Sequence, residues 1–423
     1  MRVLVLAHVF PRTVDDSMGA FLLHLADALA ERGVQTDVVA PHAPNLASDE
    51  MIGAARVRRF RYAPVRWERL AYTGTMHEIV GRGIGGKILF AFFCAAFFLR
   101  SFSVARKNPH PWLWQTSPQS PPPSSTGEGT RLAMTDSTIL HAHWWLPGGL
   151  VGALVSILTR LPLVITTHGT DVEMLRRTRW AMPLARFTFA RARAVTCGST
   201  YLREQLLTLG VVDAARVSVI PMPVNPEFEI ANLELRMASA QPATRSSQFT
   251  ILTVARLTAQ KSIDTLIDAL AILRDRGSAA RLEIVGDGPA RAALEQQTRA
   301  LTLQERVTFL GALAQKELPP HYAACAVFVL PSIREGMGLV LAEALLCGAP
   351  VIAANSGGVT DIVKEGETGL LVPERDAHAL ADAVEKILND RALAARLASN
   401  GAAWVRERYT RERVAAQFAE VLK

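Results

Sequence analysis

The sequence predicts an α/β fold of two doubly wound halves joined by a linker, and three observations predict it. Short apolar runs of strand length recur along the chain, each followed by a polar or glycine-rich loop and then an amphipathic helical stretch. The runs form two series, residues 1–223 and 249–405, separated by a stretch at 224–248 that loses its periodicity. Charged residues and glycines collect where the apolar runs end, which is where open parallel sheets bind ligands. A length of 423 residues and a hydrophobic content of 49% suffice for two cores.

Val3–Ala7 is a continuous apolar run, as expected of a parallel strand covered on both faces. A loop with Pro11, Arg12, Asp15, Asp16, Ser17 and Gly19 leads to a helix over Ala20–Arg32, stopped by Gly33, and Thr36–Ala40 is the next strand. No G-x-G-x-x-G follows the first strand, so the dinucleotide fingerprint is missing, although Gly19 would let backbone approach a ligand closely. Arg56, Arg58, Arg59, Arg61, Arg66 and Arg69 then surround Tyr62 and Trp67. They read either as a solvated strand and loop edge or as a patch for an anionic membrane surface. The run Ile88–Leu99, with Lys87 and Arg100 at its ends, supports the second reading. Twelve helical residues span about 18 Å, short of the ~30 Å hydrocarbon core, so no transmembrane helix is expected. Residues 107–137 are rich in Pro, Ser, Thr and Gly and read as a mobile insertion.

The α/β rhythm resumes with strands at Ile139–Ala142, Leu163–Thr167, Arg193–Cys197 and Val217–Ile220; the third is followed by Gly198 and Ser199 capping a helix over Thr200–Leu209. The second half carries strands at Phe249–Val254, Arg281–Val285, Val307–Leu310, Val327–Leu330 and Val351–Ala354. Helices fill the chain from about Ala377, and a final helix over 406–423 is expected to pack back on the first half.

Composition narrows the function classes. Cys94, Cys197, Cys325 and Cys347 are far apart and form no C-x-x-C, which argues for a reducing, cytoplasmic compartment and against zinc or a disulfide frame. The start, MRVLVLAHVFP, is broken at His8 and does not read as a signal peptide. A net charge of +7 permits contact with phosphates or anionic lipid. No nucleic-acid module is present in the sequence, so nucleic acid is not an expected partner.

The most informative stretch is Pro331–Pro350, PSIREGMGLVLAEALLCGAP. Here a strand runs into a short loop with Glu335, and Gly338 opens a helix that contains Glu343 and stops at Gly348. The first-turn amides of Met337, Gly338 and Leu339 suit a diphosphate, and an ionised Glu suits sugar or ribose hydroxyls. An ordinary strand–loop–helix with surface glutamates has the same spacing. Arg256 and Lys261 after one strand, and Gly286-Asp287-Gly288 after another, add cations and flexible backbone at neighbouring strand ends. Together they could cradle a diphosphate without metal. His141 and His143 share a strand face but lack an evident third ligand and read as structural histidines. His8 ends the first strand, whereas His168, in THGTD at 167–171, ends a strand facing the second half.

These residues resemble a known family. VARLTAQKS (254–262), VGDGP (285–289), FLGAL (309–313), FVLPSIREGMGLVLAEALLCGAPVIA (328–353), GG (357–358) and GETGLLVP (366–373), with HAHWWLPGG (141–149) and THGTD, are similar to the retaining glycosyltransferases of family 4. The resemblance covers nearly the whole chain apart from 107–137. It implies the GT-B architecture, two Rossmann-like domains facing across a cleft. It further implies transfer of a hexose from a nucleoside-diphosphate sugar to a glycan or lipid-linked acceptor, with retention of configuration and no metal or other cofactor. Arg256 and Lys261 match the pair that binds the donor diphosphate, Glu335 the residue near the transferred sugar, and Glu343 the one that holds the ribose. The amides of Met337, Gly338 and Leu339 match those facing sugar and phosphates. Gly19 matches an inter-domain glycine loop, Gly286 belongs to the donor-side turn, and Leu310 and Gly311 fall where the nucleobase is met. His168 matches a first-domain histidine that reaches the reacting sugar. Ala255 and Ser262 depart from positions that are often Gly, Met337 from Phe and Cys325 from Asp; none removes a charged group from the cradle. A nucleotide-sugar epimerase or hydrolase, or a non-catalytic membrane-associated binding protein, are the competing readings. Peripheral attachment to the inner face of the membrane follows from the basic patch.

Overall fold

The computed structural model describes residues 1–16, 18–72, 76–81, 83–107, 138–225, 227–228 and 249–423. Almost all of the expected insertion at 107–137 and most of the linker at 224–248 lie outside the described residues.

The first half contains β1 (Arg2–Leu6), α1 (Ala20–Ala30), β2 (Gln35–Pro41), β3 (Asp49–Ile52), β4 (Ala55–Phe60), α2 (Met76–Gly81), α3 (Ile84–Arg106), β5 (Thr138–His143), α4 (Leu150–Thr159), β6 (Leu163–Thr167), α5 (Thr170–Arg177), α6 (Met182–Arg191), β7 (Ala194–Cys197), α7 (Thr200–Thr208) and β8 (Val217–Val219). The second contains β9 (Thr250–Val254), α8 (Ile263–Asp275), β10 (Arg281–Val285), α9 (Arg291–Ala300), β11 (Val307–Gly311), α10 (Leu318–Ala324), β12 (Val327–Leu330), α11 (Leu339–Leu346), β13 (Val351–Ala354), α12 (Val359–Ile362) and β14 (Leu370–Val372). Three helices, α13 (Ala377–Asn389), α14 (Arg391–Arg408) and α15 (Arg411–Leu422), end the chain.

The first sheet has eight strands in the order β3-β4-β2-β1-β5-β6-β7-β8, parallel except where β3 meets β4. The second has six parallel strands, β11-β10-β9-β12-β13-β14. In each, the strand order reverses once: between β1 and β5, and between β9 and β12. Ligands of doubly wound sheets bind at the carboxyl ends beside such a switch point. Alternation of side chains along β1 builds both faces of the first sheet. Val3, Val5 and Ala7 join the core with α1 and α15, while Leu4 and Leu6 join the core with α3, α4 and α6.

The carboxyl edges of the two sheets face one another and touch. The Ser199 hydroxyl donates to the Gly336 carbonyl at 2.6 Å, and Arg334 meets Glu173 at 3.1 Å. Thr200 donates its amide to Asp361 at 2.7 Å. The last helix returns to the first half: α15 packs on α1, Arg411 pairs with Glu31 at 2.8 Å, and Arg193 donates to the Val421 carbonyl at 2.7 Å.

Two sequence expectations change here. The arginine run does not form one open patch, because β4 lies inside the sheet. Arg59 is buried and donates to Glu50, Tyr72 and the carbonyls of Pro41 and Pro11, and Arg58 pairs with Asp37 at 3.2 Å. A buried guanidinium is tolerated only when its donors are matched in this way. The Phe-rich run is also only the middle of α3, which has 23 residues and rises about 35 Å. By length and composition alone this helix could cross a membrane, which the twelve-residue run by itself could not. One side of α3 is instead packed on the sheet: Phe97 stacks on Phe60 with centroids 4.8 Å apart, and Phe93 meets Tyr62 at 4.9 Å.

Candidate functional site at the facing strand ends

The second-half site is assembled by the loops after β9 and β12. Arg256 lies two residues beyond β9 and is exposed. Lys261 ends a single 3-10 turn over Ala259–Lys261, and its Nζ donates to Glu335 Oε2 at 2.6 Å. Burial alone would raise the Glu335 pKa, but the Lys261 charge and hydrogen bond, Ser332 and the Gly336 amide outweigh it and hold the carboxyl below its ordinary range. An ammonium has three donors, so Lys261 retains two for a phosphate while holding Glu335.

Gly338 starts α11 with φ 84°. A Cβ in that conformation would be strained and would approach Leu341 Cδ1 to 3.2 Å, so glycine suits the turn that aims the helix N-terminus outward. The amides of Met337, Gly338 and Leu339 belong to the loop and first turn, where no carbonyl a turn earlier can accept them. The Met337 side chain does something that spacing did not reveal. It is buried against Gly198, and its sulfur accepts the Met222 amide at 3.4 Å, so it plugs the junction between the halves.

Glu343 sits on the inner face of α11, 8% exposed, and accepts the Tyr322 hydroxyl at 3.0 Å. Burial pushes its pKa up to about 7, against smaller opposing effects of hydrogen bonds from Tyr322 and Gln315. Gln315 also accepts from His24 Nε2 at 3.2 Å, so it links α1 of the first half to this carboxyl. Neither Tyr322 nor Gln315 stood out in the sequence, because each meets Glu343 from another segment of the fold. On the same side, Gly286 follows β10 with φ 126° and donates its amide to the Gly311 carbonyl at 2.7 Å. A Cβ on Gly286 would fall 1.9 Å from the Ala255 carbonyl oxygen. Leu310 and Gly311 end the edge strand β11, partly buried. Gly19, with φ 79°, caps α1 at the end of the loop after β1, and Asp15 of that loop meets Lys316 at 3.1 Å.

His168 follows β6 and lies against Gly336: a Cβ added to Gly336 would come within 2.9 Å of the His168 carbonyl oxygen. Its ring turns back into the first half. Nε2 shares a 2.9 Å hydrogen bond with His143 Nδ1, and the ring packs between Trp144 and Phe21, at 4.4 and 5.1 Å between centroids. Burial, with the neighbouring histidines, lowers the His168 pKa to about 3, so the ring is neutral at pH 7. Asp171 fixes the loop by accepting the amides of His168, Gly169 and Trp145 at 3.0, 3.1 and 3.0 Å. His141 donates to or accepts from Thr166 at 2.7 Å, fully buried. The histidine pair on β5 thus supports the wall of the cleft. Ser262, where glycine was expected by resemblance, takes the left-handed conformation at φ 52°.

Residues 17–223 match the family model for a glycosyl transferase 4-like domain, and residues 237–404 match that for glycosyl transferases group 1. The GDP-mannose-dependent alpha-(1-6)-phosphatidylinositol monomannoside mannosyltransferase of Mycobacterium tuberculosis is 32% identical over 273 residues, which is 62% of this chain and 69% of that protein. The alpha-D-kanosaminyltransferase of Streptomyces kanamyceticus is 29% identical over 279 residues, 64% of this chain and 72% of that protein. Among solved structures, sucrose-phosphate synthase from Thermosynechococcus elongatus superposes with a TM-score of 0.74 at 24% identity, covering 99% of this chain and 97% of that one. Anabaena HepE in complex with UDP-glucose superposes with a TM-score of 0.69 at 21% identity, covering 100% and 99%. With both halves matched and both sheets meeting at their carboxyl edges, this chain belongs to the group 1, family 4-like glycosyltransferases and has their two-domain GT-B fold.

Proposed function

We infer that this protein moves a hexose from a nucleoside-diphosphate sugar to an acceptor hydroxyl, on a glycan or a lipid-linked acceptor, with retention of configuration and without a metal ion. The Lys261–Glu335 pair beside the N-terminus of α11 carries this reading. Bond cleavage builds negative charge on the departing diphosphate. Arg256, Lys261 and the first-turn amides of α11 are the groups that would stabilise it. Glu335, held ionised, accepts from hydroxyls of the sugar, and Glu343 accepts from the ribose once it ionises. Neutral His168 offers a hydrogen bond rather than a charge, which suits an oxocarbenium-like sugar beside it. Lys261, held by Glu335, together with Arg256 and a helix terminus would supply the charge stabilisation that a divalent ion supplies elsewhere, and the acceptor attacks from the face the diphosphate leaves. The four cysteines are thiols, in keeping with a cytoplasmic site of action.

The test is a thermal-shift panel with UDP, GDP and ADP, followed by transfer assays on the matching sugars. A nucleotide at 100 times its Kd adds about 2.7 kcal/mol of stability. One base should stabilise strongly, and Arg256→Ala should abolish the shift. If no nucleotide stabilises the protein and Arg256→Ala changes nothing, the donor-binding reading falls. Sugar release to water at the same rate with and without acceptors would replace it by a hydrolase.

A further inference from the structure

The layer that covers one face of the first sheet is itself uncovered. α3 packs beside α4, and α4 beside α6. On α3 the buried residues Phe93, Phe97 and Val104 point at the sheet, while Ile84, Ile88, Phe92 and Leu99 are 52–76% exposed. At about 100° per residue these four fall within about 80° of arc, directly opposite the buried set. The same division recurs on the neighbours. Leu154, Ile157 and Leu158 stand out from α4, and Leu184 and Phe187 from α6, with Trp180 82% exposed in the turn before it. Single exposed apolar residues need no account, but a stripe repeated on three adjacent helices does.

Charge identifies what would cover it. No Asp or Glu occurs within 84–107, 145–163 or 178–194, the segments that form this layer. Basic residues border it throughout: Lys87, Arg106 and Lys107 on and after α3, Arg160 after α4, Arg186 and Arg191 on α6, all exposed. A second copy of the chain would set this cationic face against itself, at a cost in like-charge repulsion. An apolar surface with a cationic border complements a bilayer carrying anionic lipid, which accepts the apolar side chains between headgroups and pairs phosphates with the cations.

We propose that the outer surface of the α3–α4–α6 layer docks this protein on an anionic lipid bilayer, with α3 lying in the interfacial plane. The site is not the arginine run of β4. It is distinct from the donor cleft and does not rest on the transferase reading. Because Phe93 and Phe97 hold α3 to the sheet, the helix lies on the membrane and does not span it.

The experiment is flotation of the full chain with phosphatidylcholine vesicles, with and without phosphatidylglycerol, at low and high salt and without any sugar nucleotide. Binding to the anionic vesicles alone, released by salt and by carbonate washing, is expected. Arg186→Glu with Arg191→Glu should weaken binding at least tenfold, at about fivefold per cation removed. Ile88→Asp with Phe92→Asp should weaken it comparably, and both pairs should unfold at the wild-type temperature because all four positions are exposed. Four results would overturn the proposal. They are wild-type protein remaining at the bottom of the gradient, undiminished binding by both variants, retention after carbonate, or a wild-type dimer in light scattering that Phe92→Asp converts to monomer.

Discussion

Replacing Glu343 by Gln should make this protein more stable at pH 8 and leave it unchanged near pH 4.5. The carboxyl is buried on α11 with Tyr322 as its partner, and burial raises its pKa from an ordinary 4.5 to about 7. Below pH 4.5 the group is neutral in the folded and the unfolded chain, so it contributes no pH dependence. As pH rises from 4.5 towards 7, the unfolded chain gives up the proton and the folded one keeps it, so wild type loses stability across that window. Above pH 7 the loss levels off. At about 1.4 kcal/mol per pH unit, it amounts to about 3 kcal/mol. Gln has the same shape, can accept the Tyr322 hydroxyl through its amide oxygen and never ionises, so it should recover most of that amount. At about 2–4 °C per kcal/mol for a domain of this size, the variant should melt roughly 6–12 °C higher than wild type at pH 8. Thermal unfolding of both proteins across pH 4.5–8 measures this directly. If Glu343 also holds the ribose, wild-type donor affinity should rise through pH 7 while that of the Gln variant stays flat. Melting curves of the two proteins that stay parallel at every pH would refute the reasoning, because Glu343 would then ionise as freely folded as unfolded.

Three further outcomes are expected. Lys261→Ala should lower kcat about 10²–10³-fold by removing one stabilising cation and releasing Glu335, and a loss under tenfold in steady-state kinetics would contradict the cradle. Gly286→Ala should cost about 3 kcal/mol in denaturant unfolding, since its methyl would press on the Ala255 carbonyl at a positive φ; a cost under about 1 kcal/mol would mean the β10 turn moves freely. Ser262→Gly should stabilise the chain by up to about 1 kcal/mol in the same assay by relieving a left-handed serine, and a destabilised variant would mean the Ser262–Thr265 contact at 3.3 Å matters more than backbone strain.

Much of the donor side was legible because its signals are local. Apolar runs of strand length, glycine stops and the capping position of Gly338 are contained within windows of a few residues, so β12 and α11 appear within a residue of where periodicity placed them. The first half was less legible where partners are distant in sequence. Arg59 reads as a surface charge until β4 is seen inside the sheet, since its acceptors lie on Glu50, Pro41 and Pro11. The Phe-rich run reads as twelve residues because Lys87 and Arg100 bound it, although the helix continues past both to Ile84 and Arg106, with Gly86 against Ile79 and Val80 of α2. Propensity is a weak term, and tertiary burial overrides it.

By itself the sequence determined two doubly wound halves, the loops that carry Arg256, Lys261, Glu335 and His168, and the family they resemble, because each depends on periodicity and on residues close together in the chain. Only the tertiary structure decided the rest. It pairs Lys261 with Glu335, buries Glu343 against Tyr322, turns the His168 ring towards His143 and places Met337 between the halves. It also brings three apolar helix stripes into one exposed face. Each of these contacts joins segments that come together only when the strands take their order in the sheets, and that order is set by long-range pairing that no short window of sequence contains.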